Sequence, residues 1–263
     1  MSRVIVIGDL QGCHEEALRL LKKVGATSQD HVIFAGDLVD RGPENGLCVD
    51  LAMEREALQG KPACVKGNHE EKHLSYWMQE QAGFDPKVVI ESHVRTRKQL
   101  RAEHYAYMER LPLVLKLPEH NAVVVHAGLF PGVPLDEQEA RHLMHIQMVD
   151  PRFGHDDSGN VVRDKKTMWP SKAPAHWRFW TTLYTGSERV IFGHSVFDKP
   201  LLTDKLAGID GGACFGRQLH ALILPDWKVV SVDAPTDFGK GSRGREGRSI
   251  KMYNVHGDVS TYS

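Results

Sequence analysis

Five short polar clusters in this chain each stand directly behind an apolar run, and that repeated placement limits the folds open to it. Gly8-Asp9-Leu10-Gln11-Gly12 follows Arg3–Ile7, and Gly36-Asp37-Leu38-Val39-Asp40-Arg41-Gly42 follows His31–Ala35. Gly67-Asn68-His69-Glu70 follows Ala63–Lys66, His126-Ala127-Gly128 follows Ala122–Val125, and Gly193-His194 follows Arg189–Phe192. Short runs rich in Val and Ile predict β-strands. Helical stretches separate the first three. His14–Val24 sets Ala17, Leu18, Leu21 and Val24 on one face and stops at Gly25. Glu44–Leu58 sets Leu47, Leu51 and Leu58 on one side, and Asn68–Gln79 continues as a third helix. This β-loop-α rhythm predicts a layered α/β core, in which ligands bind beyond the carboxyl ends of the strands. The clusters are therefore expected to converge on one site.

The rest of the chain is less regular. Gly83–Leu111 is polar and charged, predicting one or two surface helices. Residues 131–186, rich in Pro, Trp and charge, read as a cap outside the core. Arg189–Phe192, Leu206–Ile209, His220–Leu224 and Lys228–Val232 predict a second sheet. The run GKGSRGREGR, Gly239–Arg248, reads as a solvated loop, with contact to a phosphate-rich substrate as the alternative. It holds no complete phosphate-loop motif. The expected division is a domain over 1–238, with cap segments at about 75–118 and 131–186, and a basic Gly-rich tail over 239–263.

Composition narrows the partners. Lys+Arg 33 against Asp+Glu 34 gives a net charge of -1, which argues against a protein held to nucleic acid by bulk positive charge and leaves only a local basic patch open. No run of about eighteen apolar residues predicts a membrane span. Cys13, Cys48, Cys64 and Cys214 form no C-x-x-C pair and read as free thiols, as expected in the cytoplasm.

A lone Gly-Asp after a strand is usually a turn. Five clusters in that context, offering carboxylate, carboxamide and imidazole donors, are hard to explain as turns. Asp9, Gln11, Asp37, Asn68, His126 and His194 form a donor set suited to divalent ions of the manganese, iron, magnesium or zinc kind, and the lack of Cys argues against a structural zinc.

In their order, GDLQG, GDLVDRG, GNHE, HAG and GH resemble the calcineurin-like metallophosphoesterases, in their phosphoprotein-phosphatase branch. The resemblance spans roughly Val4 to Asp233 and implies an α/β fold, a layered β-sandwich flanked by helices with a helical or irregular cap. It also implies two divalent ions, Mn²⁺ first among Mg²⁺, Co²⁺, Ni²⁺, Fe and Zn²⁺. Asp9 would hold the first ion, Asp37 would bridge both, and Asn68, His126 and His194 would hold the second. His69 would be the general acid, oriented by Asp40, and Arg41 would bind phosphate. Gln11 stands where the family usually has a ligand His. His14, three residues on, is a candidate replacement, but it starts a helix.

GDLQGC and Ile209–Gly216 (IDGGACFG) resemble bacterial symmetrical diadenosine tetraphosphatases, which implies a dinucleotide substrate cut to two ADP. By that likeness Asp210 would lie near the site, orienting a ligand His or binding substrate, with a strand-end turn carboxylate as the alternative. Arg178 is the candidate second phosphate-binding Arg. Trp169, Trp177 and Trp180 would either stack on a base or, the favoured reading, pack the cap against the core. The alternatives within the same chemistry are a serine/threonine protein phosphatase or a phosphatase of RNA 5′ ends or caps.

Overall fold

Val4 to Ile7 show how the molecule is layered. Val4 and Val6 belong to one apolar cluster, Ile5 and Ile7 to another, and all four are buried. Successive side chains of a strand point to opposite faces, so a strand covered on both faces is apolar throughout. The same division separates Val123 and Val125 from Ala122 and Val124, and Val190 and Phe192 from Ile191.

The computed structural model describes residues 3–88, 90–152, 167–168, 173–238, 250–253 and 259–262. In chain order, the first half contains β1 (Val4–Ile7), α1 (His14–Lys23), β2 (His31–Phe34), α2 (Asn45–Gln59), α3 (Asn68–Gln81), α4 (Glu91–Gln99), α5 (Ala102–Glu109), β3 (Val114–Leu117) and β4 (Ala122–Val125). There follow α6 (Ala140–His145), β5 (Met148–Val149), β6 (Thr167–Met168), β7 (Arg178–Phe179), β8 (Arg189–Phe192), β9 (Leu201–Leu202) and β10 (Leu206–Gly208). The chain closes with β11 (Gln218–Leu224), β12 (Lys228–Asp233), β13 (Ile250–Tyr253) and β14 (Val259–Tyr262).

Two sheets carry the core. One has the order β12-β11-β1-β2, with β1 and β2 parallel and β11 antiparallel to β1; the other has the order β3-β4-β8-β10-β9, with β4, β8 and β10 parallel. Val6, Ile33, Val124, Ile191, Ala207 and Leu222 fill the space between them. α1, α2 and α5 cover the first sheet, and Leu143, Ile146, Phe179 and Trp180 cover the second. β5, β6 and β7 form a small sheet of their own, and β13 pairs with β14.

Several sequence expectations are corrected. The four late strands do not form one sheet: β8 and β10 join β4, whereas β11 and β12 join β1. Apolar runs show that a strand is buried but carry no record of its partner. Ala63–Lys66 is reduced to an isolated parallel bridge between Cys64 and Phe34, because only the Phe34 and Val65 amides find partners across it. α1 buries Ala17, Leu20 and Leu21 and exposes Leu18; α2 buries Cys48, Val49, Leu51 and Ala52 and exposes Leu47 and Leu58. The small side chains of α2 permit close packing, so its inner face is set by fit as well as by hydropathy. Gly83–Leu111 is not a pair of surface helices, since α5 buries Tyr105, Tyr107 and Met108. Residues 131–186 likewise supply core, through Leu143, Ile146, Val149, Phe179 and Trp180. Trp169 and the basic run 239–248 lie outside the described residues.

Candidate active site

Asp9 leaves β1, Asp37 follows β2, His126 follows β4 and His194 follows β8, so four side chains emerge at one edge of the sandwich. Two glycines make room for the carboxylates. A Cβ on Gly193 would fall on Asp9 Oδ1, and one on Gly67 would fall on Asp37 Oδ1. With Gly193 in place, the His194 amide donates to both Asp9 oxygens at 3.1 Å. The Asp37 carboxylate accepts the His69 amide at 3.0 Å, at the start of α3. Glu70 was given no role by sequence, yet it ties the turn together. Its buried carboxylate accepts the amides of Asp37 and Gly67 at 2.9 Å and of Leu38 at 2.8 Å.

Asp37, His126 and His194 bring ligand atoms within 4.8 Å of one another. His126 donates Nδ1–H to the Ala35 carbonyl at 2.8 Å. Burial holds His126 below its ordinary pKa, which favours a neutral ring whose Nε2 keeps its lone pair. That lone pair faces Asn68 Oδ1 at 3.0 Å and Asp37 Oδ1 at 3.3 Å. Three acceptor atoms converging in a buried space with no proton to share are the donor chemistry of a cation site. Asp9 agrees. Burial, then the neighbouring carboxylates of Asp210 and Asp37, push it well above the usual range, a charge excess that divalent ions relieve. The residues present fit the metal ions that the sequence implies.

Beside this cluster, His69 Nδ1 donates to Asp40 Oδ2 at 2.5 Å, while its Nε2 faces Asp37 Oδ2 at 3.7 Å. Burial opposes a charged ring, but the Asp37 and Asp40 carboxylates prevail and raise the pKa of His69. The raised pKa favours the protonated ring, and Asp40 fixes which nitrogen points to the cluster. Arg41 stacks its guanidinium 5.2 Å from the centre of the Phe215 ring, and its Nη1 is buried with no protein hydrogen-bond partner. A cation held by an aromatic face, with a donor to spare, suits an incoming anion.

Gln11 is buried with Nε2 3.4 Å from Asp37 Oδ2 and Oε1 accepting the Cys214 thiol at 2.6 Å. Cys214 thus joins GDLQG to the Ile209–Gly216 run, a link that neither stretch reveals alone. Burial keeps that thiol protonated, far above its ordinary pKa. Asp210 is buried beside Asp9, bonded to the Gly212 amide at 2.9 Å, and burial pushes it up to about 6. His14 groups with Glu15 and Glu44, apart from the main cluster. Arg178 is exposed, and its Nη1 donates to the carbonyls of Ala175, His176 and Trp177 in its own turn. Trp177 is buried, and Trp180 is fully buried against Gly128 and Phe192.

Sheets packed face to face, with acid, amide and imidazole donors at their strand ends and a His–Asp pair alongside, define a hydrolase of the metal-dependent phosphoesterase class. Residues 2–198 match the calcineurin-like phosphoesterase family, and the chain belongs to it. Such phosphoesterases use divalent metal ions, and the donor groups above are this chain's candidates.

Among curated relatives, bis(5′-nucleosyl)-tetraphosphatase PrpE (asymmetrical) of Anoxybacillus flavithermus is 26% identical over 249 residues, covering 89% of this chain and 95% of that one. The protein of the same name from Oceanobacillus iheyensis is 26% identical over 255 residues, covering 90% and 94%. A crystal structure ascribed to a diadenosine tetraphosphatase superposes with a TM-score of 0.69 at 24% identity, covering 88% of this chain and 93% of the other. A Saccharomyces cerevisiae protein serine/threonine phosphatase shares the fold at a TM-score of 0.53 and 15% identity, covering 88% and 79%. Among the described residues no helix is long and apolar enough to cross a membrane.

Proposed function

We propose that the chain hydrolyses dinucleoside polyphosphates, with diadenosine tetraphosphate as the representative substrate, and that two divalent ions, Mn²⁺ first among them, occupy the site. Asp9, Asp37, Asn68, His126 and His194 would hold them. Bound there, such ions neutralise phosphoryl oxygens and ease deprotonation of the attacking water. The chain's own groups do the rest. Arg41 binds a phosphoryl oxygen through its spare guanidinium face. Asp40 keeps the His69 ring in one tautomer, and His69 Nε2 gives its proton to the leaving oxygen as the bond breaks. Asp210, buried beside Asp9 and pushed up to about 6, would meet a substrate oxygen. Arg178, already committed to its own turn, would have to swing to reach phosphate.

The observation that carries this reading is the convergence of His126 Nε2, Asn68 Oδ1 and Asp37 Oδ1 beside the His69–Asp40 pair. The substrate class is supported by relatives that match along nearly their whole length. Their names carry the asymmetrical reaction, so the cut we propose is the asymmetrical one and replaces the symmetrical cut expected from sequence. Incubating the protein with Mn²⁺ and diadenosine tetraphosphate and separating the products decides it. ATP plus AMP is expected, two ADP would restore symmetrical cleavage, and hydrolysis of a phosphopeptide or capped RNA without dinucleotide turnover would overturn the reading.

A further inference from the structure

The loop from Gly36 to Gly42 holds an unusual backbone. Asp37, Asp40 and Arg41 have φ of 50°, 79° and 62°, in the left-handed region that side chains disfavour. Such a loop keeps its shape only where its surroundings over-determine it. α4, whose hydrogen bonds to this loop and to Asn45 span 54 to 56 positions, supplies much of that constraint. Thr96 Oγ1 donates to Asp40 Oδ1 at 2.8 Å; the Ser92 carbonyl at 2.9 Å is the weaker acceptor for its single proton. His93 Nε2 lies 3.3 Å from Asp40 Oδ2, and its Nδ1 accepts the Tyr76 hydroxyl at 3.1 Å. Arg95 Nη2 donates to the Arg41 carbonyl at 2.5 Å. Gln99 Oε1 accepts the Asn45 amide at 2.7 Å, and Asn45 Oδ1 accepts the Asp40 amide at 2.7 Å.

α3 completes the enclosure, with His73 Nε2 donating to Asp40 Oδ1 at 2.7 Å. Both oxygens of a fully buried carboxylate are therefore engaged: Oδ1 by His73 and Thr96, Oδ2 by His69 and His93. A carboxylate held at both oxygens has one orientation, and so does the imidazole bonded to it.

We infer that α4 is a brace for the catalytic loop: Thr96 and His93 position the Asp40–His69 pair, and Arg95 positions Arg41. The inference deepens the reading of His69 as proton donor and rests on it. In that role His69 matters most for poor leaving groups, so a loosened His69 shows as selectivity between esters, whereas damaged folding does not.

The test uses the full chain with Mn²⁺, comparing phenyl phosphate with p-nitrophenyl phosphate, whose leaving group is the better one. Thr96→Val is expected to lower kcat about tenfold on phenyl phosphate and little on p-nitrophenyl phosphate, with KM within about twofold. Thr96→Ser is expected to restore both. Arg95→Gln, at an exposed position, is expected to raise KM for both esters and to change kcat on the two esters alike. Equal losses on both esters, or no loss, in Thr96→Val would overturn the brace, as would an unaltered KM in Arg95→Gln. His69→Asn is the control: if it shows no preference between the esters, or the wild type cleaves neither, the reading of the acid fails and the brace with it. If His69→Asn shows the preference and Thr96→Val does not, the brace alone fails.

Discussion

Gln11 differs from the histidine usual at its position in more than donor strength, because its carboxamide is held at both ends. The oxygen accepts the Cys214 thiol and the nitrogen faces Asp37. The acceptor-only carboxylate of Asp37 demands the N–H side, and the protonated thiol demands the oxygen. Removing the thiol leaves a buried carbonyl without a donor. Cys214→Ala should therefore cost about 1–3 kcal/mol of stability, while Cys214→Ser, which keeps a donor, should cost less; urea unfolding of the pair checks this. Residue types in the motifs made Asp9, Asp37, Asn68, His126 and His194 legible as donors. The Cys214–Gln11 contact was not, since 203 positions separate the partners and neither cysteine spacing nor helical period encodes it.

At the level of elements, the segment after β4 behaves differently from its composition. Pro, Trp and charge made 131–186 look like a cap, yet α6, β7 and the turn after it drive Leu143, Phe179 and Trp180 onto the outer face of the second sheet. Trp180 lies flush with Gly128, where a Cβ would overlap the indole. Trp180→Ala should cost about 3–5 kcal/mol, as large-to-small changes at fully buried aromatics do, and should lower the thermal midpoint without a selective effect on the aryl phosphate comparison. If stability is unchanged, Trp180 is not core. α4 made the opposite impression. Its charge predicted a surface helix, while its inward residues His93, Thr96 and Gln99 are polar because they face a buried carboxylate and backbone amides. Hydropathy cannot register an inner face whose partners are polar.

For the whole molecule, the two-sheet arrangement stores an acid sensitivity outside the catalytic cluster. His220 on β11 is buried with Nδ1 bonded to Ser231 Oγ at 2.7 Å, and burial, reinforced by the charge of Arg217, pushes it down to about 4 from 6.5. Between those values the unfolded chain binds a proton that the folded chain refuses. The contribution is fully present above pH 6.5 and is lost as pH falls toward 4, up to about 3 kcal/mol. His220→Gln should make the fall of stability over that window shallower, with unfolding midpoints in urea at pH 4.5 and 7 as the measure; an unchanged slope would assign the acid sensitivity elsewhere.

Sequence by itself determined the core strands β1, β2, β4, β8, β10, β11 and β12, the polar clusters behind the apolar runs and the donor types those clusters offer, because burial on both faces forces continuous apolar runs and metal ligation restricts donor types. Only the tertiary structure decided which strands share a sheet, which face of α1 and α2 turns inward, and which distant residues hold Asp40, Arg41 and Gln11. Those outcomes depend on shape and on hydrogen bonds between residues far apart in the chain, and no local period records them.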